Sequence, residues 1–203
     1  MEEVVRLKDH SKAVLQAVKQ KKKGKRFILG IDGLSRSGKT TLTKSLCESL
    51  KEQDIPHTVF HIDDHIVEKK RRYDTGRDEW FEYYFLQWDL QDIREHFFEN
   101  LLLGKTFSLN YYDPSADSHT LKTIQLPEEC IIIVEGVFLQ RQEWRDYFDY
   151  VVFLDCPKNR RFQRESKETQ KKMEKFKNRY WKAEDFYMKA VSPRQKCDMV
   201  LRV

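Results

Sequence analysis

The chain has no stretch of about 18 uncharged apolar residues, the length a helix needs to cross a bilayer, so no membrane-spanning helix is expected. It does not open on an apolar leader either. Residues 1–6 read Met-Glu-Glu-Val-Val-Arg, and no secretory signal is expected. Cysteine is sparse: Cys47, Cys130, Cys156 and Cys197 lie far apart with no C-x-x-C pair. That spacing argues against a zinc site or a disulfide framework and points to reduced thiols in the cytoplasm. No internal repeat and no low-complexity tract is present. Charge is not one-sided: 38 Lys and Arg against 33 Asp and Glu leave a net +5, which suits anionic ligands and is too mild to demand nucleic acid. The charged fraction of 35% is high, but 13% aromatics and several apolar runs argue against disorder. A chain of 203 residues is long enough for one domain with a full-sized core.

What is present is organised around Gly33-Leu34-Ser35-Arg36-Ser37-Gly38-Lys39-Thr40, a G-x-x-x-x-G-K-T phosphate-binding loop. Its flanks supply the context such a loop needs. Phe27 to Ile31 is an apolar run expected as a buried strand, and Leu42, Leu46 and Leu50 mark one face of a following helix. Glycines let the backbone curl so that successive N–H groups face phosphate oxygens, and the helix N-terminus adds partial positive charge there. Gly33 to Thr41 are therefore the expected ATP contacts. Lys39 would reach the β- and γ-phosphates, and the Thr40 hydroxyl would ligate Mg²⁺.

Before the loop, Val4, Leu7, Val14, Leu15 and Val18 fall at helical spacing over 2–20. This amphipathic helix either packs on the sheet or mediates self-association into a homo-oligomer. Lys19 to Arg26 is a short basic run without aromatic interleaving, read as a solvated connector and not as a nucleic-acid arm. After the loop, Pro56 to Ile62 is a second strand ending in Asp63-Asp64-His65, and carboxylates at such a strand end sit where open α/β sheets bind ligands. His61, Asp63 and His65 would share one face, as a metal site requires, only if the strand ran past 63. Glu68 to Arg72 is a solvated charge cluster. Aromatic residues crowd Glu79 to Gln87, as secondary core or as a pocket wall. A helix is expected over Asp89 to Leu103, ended by Gly104, and Phe107 to Pro114 is a strand able to pair with Thr120 to Leu126. Cys130 to Val134 is a continuous apolar strand closed by Glu135-Gly136, an acid placed to hold Mg²⁺ directly or through water. Tyr150 to Leu154 is a further buried strand. Basic helices follow from about 158 to 190, and Met199 to Val203 is a last strand.

Four local matches make the chain resemble the uridine kinase and phosphoribulokinase branch of P-loop kinases over most of residues 27–203. They are Gly30 to Leu42, similar to that family's extended loop; Asp63-Asp64 after the second strand; Val134-Glu135-Gly136-Val137; and Phe153-Leu154-Asp155 before an Arg-rich helix. The resemblance implies an α/β fold, the P-loop NTPase three-layer α/β/α sandwich, with a five-stranded parallel sheet and a helical, arginine-bearing lid. It implies transfer of the ATP γ-phosphate to a hydroxyl of a small molecule, with a nucleoside such as uridine as the first candidate. Residues 1–26 would be an N-terminal helix and connector, 27–203 the kinase domain, 64–126 an acceptor-side insertion and about 158–180 the basic lid. The departures lie on the acceptor side. His65-Ile66 replaces an aromatic pair, and the Asp-His-Pro tripeptide is missing, with Gln87-Trp88-Asp89 in its region. Ser118-His119 is the nearest trace of Ser-His-Ser-Arg, and Lys167 to Lys175 stand where Arg-Gly-Arg is usual.

Phosphoryl transfer needs positioning and charge neutralisation, and roles follow from that. Lys39 holds phosphates, and Thr40 and Glu135 hold the metal. Asp63 orients or deprotonates the acceptor, with Asp64 as the alternative. Arg160, Arg164 and Lys167, on one helix face, would close over the phosphates. Asp89 and Tyr112 would line the acceptor pocket. Other readings stay open: a kinase for pantothenate, nicotinamide riboside or a phosphosugar, a nucleic-acid-associated ATPase, or a nucleotide-binding regulator without turnover. The short basic run separates one of these. RNA or DNA should bind no tighter than about micromolar at physiological salt and should leave ATP consumption unchanged. A salt-dependent electrophoretic shift at nanomolar protein would favour the nucleic-acid-associated ATPase.

Overall fold

A computed structural model describes residues 2–22, 24 and 26–203, and in the first helix the side chains from Asp9 onward. The readings of Val4 and Leu7, and of Lys23 and Lys25 in the basic run, lie outside the described residues. Helix α1 (Glu2–Lys21) precedes β1 (Arg26–Gly33), α2 (Lys39–Lys51) and β2 (His57–His61). A single 3₁₀ turn, Ile62–His65, follows β2. Then come α3 (Lys69–Arg72), α4 (Glu79–Phe85), a continuous helix α5 over 90–103, and strands β3 (Thr106–Asp113) and β4 (Ser118–Gln125). The chain then returns to the core through β5 (Cys130–Gly136) and β6 (Tyr150–Asp155). It ends with α6 (Lys158–Gln163), α7 (Lys167–Gln170), a continuous helix α8 over 173–190, α9 (Pro193–Lys196) and β7 (Met199–Arg202).

Five strands form one parallel sheet in the order β2-β5-β1-β6-β7. Helices cover both faces, which is the three-layer α/β/α sandwich of P-loop NTPases. The two-residue period of a strand decides what faces each layer. Phe27, Leu29 and Ile31 of β1, Ile131 and Ile133 of β5, and Val152 and Leu154 of β6 pack with Leu42, Leu46 and Leu50 of α2 and with Val14, Leu15 and Val18 of α1. The alternate residues Ile28, Ile132, Val134, Val151 and Phe153 face a larger, aromatic layer built by Phe97, Phe98, Phe138, Trp144 and Tyr187. In its described residues α1 lies on α2, where Ser45 Oγ donates to Ser11 Oγ at 3.2 Å. The same period sends Asp32 to the aromatic side and Glu135 to the α2 side, which separates two neighbouring acids into different environments.

Three sequence readings change in the structure. Strand β2 stops at His61, and the tight turn that follows carries His65 away to the hairpin, where its Nδ1 donates to the Asn110 carbonyl at 2.8 Å. His61, Asp63 and His65 therefore share no strand face, and no metal-holding cluster of His, Cys, Asp and Glu occurs among the described residues. Gly104 ends α5 with an ordinary φ of −75°, not a left-handed turn. A Cβ there would lie 2.9 Å from the Asn100 carbonyl oxygen, so close approach explains the glycine. Third, Arg160, Arg164 and Lys167 do not share one helix. Helix α6 ends at Gln163, and the Ser166 side chain caps a separate α7 by accepting the Thr169 N–H. Strands β3 and β4 pair antiparallel as expected, from Thr106↔Gln125 to Asp113↔Ser118. Among the described residues no helix is long and apolar enough to cross a membrane.

Leu46 is fully buried between α1, α2 and the sheet. Leu46→Ala should lower unfolding free energy by about 2–5 kcal/mol, the usual cost of such a cavity, read from urea denaturation. A loss under about 1 kcal/mol would show that α1 does not close this layer in solution.

Candidate active site

β1 and β5 are paired in parallel with Ile31 opposite Glu135, and β2 pairs on the other side of β5 with His61 opposite Glu135. The C-terminal ends of three strands thus meet at one edge, and the phosphate loop leaves β1 at that edge. The loop's shape is local in origin. Gly38 has φ 102° at the start of α2, a left-handed conformation that glycine tolerates, and a Cβ on Gly33 would come within 2.6 Å of Ser37 Oγ.

Lys39 is buried, and its ammonium donates to the Leu34 carbonyl at 3.2 Å. Burial pulls its pKa down, while the carboxylates of Asp63, Glu135, Asp32 and Glu184 push it back up. Thr40 is exposed, and its hydroxyl donates to Glu135 Oε1 at 3.0 Å. Thr43 donates to Oε2 at 3.3 Å. His61 Nδ1 lies 3.0 Å from the same Oε1. Burial pushes the Glu135 carboxyl up, but the His61 hydrogen bond and the Lys39 charge outweigh it, and the group stays ionised below the usual carboxylate range. The same contact holds the His61 imidazole above its ordinary value. Asp63, in the turn after β2, keeps surface open to solvent while protein groups crowd its carboxyl. The loss of surrounding water raises its carboxyl, Lys39 works against this, and Glu135 and Asp64 add to it. Asp64 is half-buried beside it.

The basic segment reaches the loop through Arg164, which the spacing selected, and through Arg161, which it did not. Arg160 is exposed, and its neighbour Arg161 is the one that turns inward. The Arg161 guanidinium donates to the Ser35 carbonyl at 3.0 Å and makes a two-pronged pair with Glu184 of α8 at 2.8 and 2.9 Å. Glu184 also accepts the Ser35 N–H at 3.1 Å. Arg164 donates to the Arg36 carbonyl at 3.0 Å, so it does stand at the loop, while Lys167 is exposed. Arg36 pairs with Glu165 at 3.0 Å. On the acceptor side, Asp89 is engaged twice: it accepts the Asp92 N–H at 3.2 Å, capping α5, and pairs with Arg71 at 2.8 Å. The Tyr112 hydroxyl accepts from Arg72 at 3.0 Å and donates to Asp117 at 2.8 Å. The aromatic stretch divides its work. Tyr84 and Trp88 are core, whereas the Tyr83 hydroxyl lies 3.4 Å from Ser35 Oγ. Arg161, Glu184 and Tyr83 carried no motif. The only cues in the sequence were an Arg beside the expected one and an acid on a basic helix.

The donor set fits a phosphate and a hard cation. Ser37 Oγ is buried without a hydrogen-bond partner in the loop, and the buried Lys39 ammonium lies on the loop's Leu34 carbonyl. Thr40 and the ionised Glu135 offer two oxygens 3.0 Å apart, the ligand type Mg²⁺ prefers.

Sheet order, glycine loop and strand-end acid together define a P-loop kinase. Comparison agrees. A model described as the Phosphoribulokinase / Uridine kinase family matches residues 28–203. A uridine kinase of Staphylococcus epidermidis is 29% identical over 161 residues, covering 75% of each chain. A solved chain from Bacillus stearothermophilus, described as a possible uridine kinase, is 45% identical with a TM-score of 0.84, over 99% of this chain and 100% of that one. D-glycerate 3-kinase from Cryptococcus neoformans shares the fold at 13% identity and a TM-score of 0.57, over 91% of this chain and 86% of that one. This chain belongs to the phosphoribulokinase and uridine kinase family.

Lys39→Ala should leave the protein folded and weaken Mg-ATP binding by about 10- to 100-fold, the size of a lost charged hydrogen bond to phosphate. Calorimetric titration reads it, and unchanged affinity would remove the loop from the nucleotide site.

Proposed function

We propose that the chain transfers the γ-phosphoryl group of ATP to the hydroxyl of a small molecule, with a ribonucleoside such as uridine or cytidine as the acceptor. The observation that carries this is the convergence of Lys39, Thr40 and Glu135 on one space with Asp63 at its edge. Mg²⁺ bound by Thr40 and Glu135 would offset negative charge on the phosphates. Asp63 takes the proton of the acceptor hydroxyl as its oxygen forms the new bond to phosphorus, the β–γ bridging P–O bond breaks, and ADP leaves. Lys39, Arg161 and Arg164 meet the charge that shifts onto the leaving phosphate. Helix α8 and the arginines roof the loop, which excludes water and limits idle hydrolysis.

The nucleoside choice rests on the relatives' printed activity and on the aromatic wall. Tyr83 meets Tyr180 edge to face at 5.0 Å beside the loop, and Tyr112 stands next to Arg72. Such rings suit a flat heteroaromatic base. Asp89 and Tyr112 stay in the proposal as ribose or base partners that would exchange Arg71 and Asp117 for the ligand. Four free cysteines suit a reducing cytoplasm.

A screen of ATP consumption over nucleosides, pantothenate, nicotinamide riboside and phosphosugars tests the acceptor. Turnover with uridine or cytidine above the acceptor-free background is expected. Activity confined to another class would overturn the nucleoside and keep the kinase, and tight Mg-ATP binding with no acceptor turnover would favour a regulator. Asp63→Asn should lower kcat by about 10²-fold or more with ATP affinity little changed. A base with a raised pKa is protonated and idle at low pH, so kcat should climb with pH through a limb above the ordinary carboxylate range. Asp63→Asn should abolish that limb. If Asp64→Asn does so instead, the base is Asp64.

A further inference from the structure

Asp32 takes no part in the chemistry above, yet it is a fully buried carboxylate one residue before the phosphate loop. Strand alternation turns it away from α2 and toward α8. There it gathers donors from three segments that are distant in the chain. Its Oδ1 accepts the Gly33 N–H at 2.8 Å, the first peptide of the loop, and the Leu139 N–H at 3.4 Å. Its Oδ2 accepts the Gln140 side-chain amide at 2.9 Å and the Tyr187 hydroxyl at 2.5 Å. The Tyr187 oxygen in turn accepts the Gln140 N–H at 3.0 Å. One carboxylate therefore joins the start of the phosphate loop, the segment that follows Glu135-Gly136, and helix α8.

The second anchor of α8 lies one turn earlier. Residues three apart on a helix share a face, and Glu184, three before Tyr187, holds the Ser35 N–H and the Arg161 guanidinium. Helix α8 is thus fixed to the loop at two points, Gly33 through Asp32 and Ser35 through Glu184. A buried carboxylate loses hydration that an apolar side chain of similar size would not need, so stability alone is poor reason to have one. What it adds is a fixed relation between parts, because four directed donors accept only one arrangement.

We propose that Asp32, acting through Tyr187, is a positioning residue that sets the shape of the phosphate loop and holds α8 where Glu184 can present Arg161 to the loop. Asp32 touches neither substrate. Its effect passes through the Gly33 peptide and through α8, and the affinity and turnover parts of the test rest on the kinase reading while the exchange part does not.

Tyr187→Phe removes one hydroxyl from this network and leaves the ring packed against Phe138 and Tyr84. Asp32→Asn is the harsher variant, since its amide presents hydrogens toward the Gln140 amide. Three measurements on the full chain decide. In amide exchange without ligand, peptides covering 33–38 and 182–190 should open about tenfold faster in Tyr187→Phe, at a Tm within a few degrees of wild type. Mg-ATP affinity should fall by about fivefold or more. With the acceptor found in the screen, kcat should fall more than the acceptor KM rises, as expected for an arginine whose contacts matter most in the transition state. Wild-type exchange at 33–38 with unchanged Mg-ATP affinity would overturn the proposal, whatever happens to Tm. The exchange measurement needs no substrate, so it stands even if the kinase reading fails. If Asp32→Asn does not fold, Tyr187→Phe alone carries the decision.

Discussion

A lysine ammonium taken out of water needs compensation, and the architecture of the edge where β1, β5 and β2 end answers that need. Lys39 is buried, and four carboxylates act on its charge: Asp63, Glu135, Asp32 and Glu184. They come from the turn after β2, the end of β5, the end of β1 and helix α8. Parallel pairing in register is what brings the first three together, because Ile31 and His61 both lie opposite Glu135. Excess negative charge around one cation also makes a site ready for further positive charge. A divalent ion at Thr40 and Glu135 would relieve the repulsion between Glu135 and Asp63, and phosphate oxygens would take over the lysine. The aromatic and aliphatic layers beneath hold these charges in a fixed arrangement.

The parts of this site that act over a few residues could be read from the sequence. The loop glycines, the lysine and the threonine lie within eight positions, and the strand-end acid announces itself by the apolar run before it. Buried parallel strands appear as continuous apolar segments because both faces are covered. The helix over 90–103 was legible from its helical apolar period, Leu90, Ile93, Phe97 and Leu101, and the hairpin from its Pro turn between two short strands. What was hidden depends on pairing across the chain. Ser35 and Glu184 are 149 residues apart, and Asp32 and Tyr187 are 155 apart. Nothing local in a basic helix distinguishes an acid that caps a loop from one that faces solvent. The choice of Arg160 over Arg161 failed in the same way. Spacing sees a helix face, and it does not see that Ser166 breaks the helix and that the chain turns inward one residue later.

The acceptor side obeys a different economy. It is assembled from an insertion and from α8, and most of its polar groups already have partners. Asp89 is both a cap and the partner of Arg71, Tyr112 bridges Arg72 and Asp117, and Arg179 is buried against Glu82 at 2.9 Å with its guanidinium over Tyr73 at 4.0 Å. Groups held this way give shape without a free hydrogen bond to offer. A ligand must either match the remaining surface or replace one of these pairs, and replacing a buried pair is costly unless the incoming group satisfies both halves.

The family model runs through both parts of the chain, over residues 28–203. The loop residues are tied to backbone shape, with Gly38 at φ 102° and Gly33 close against Ser37 Oγ. The wall formed by α4, β3 and β4 is made of side chains on elements that lie outside the five-stranded sheet. Trp88 is turned into the core with its indole N–H on the Ile62 carbonyl at 2.9 Å, in the same aromatic layer as Ile132 and Val134 of β5. Helix α8 links this wall to the loop, as does the Tyr83 hydroxyl 3.4 Å from Ser35 Oγ. The helix carries Arg179 on the acceptor side and Glu184 and Tyr187 on the loop side. The same helix that is pinned to Glu82 through Arg179 therefore also holds Ser35 and Asp32, so its position fixes the packing against α4 and the loop together.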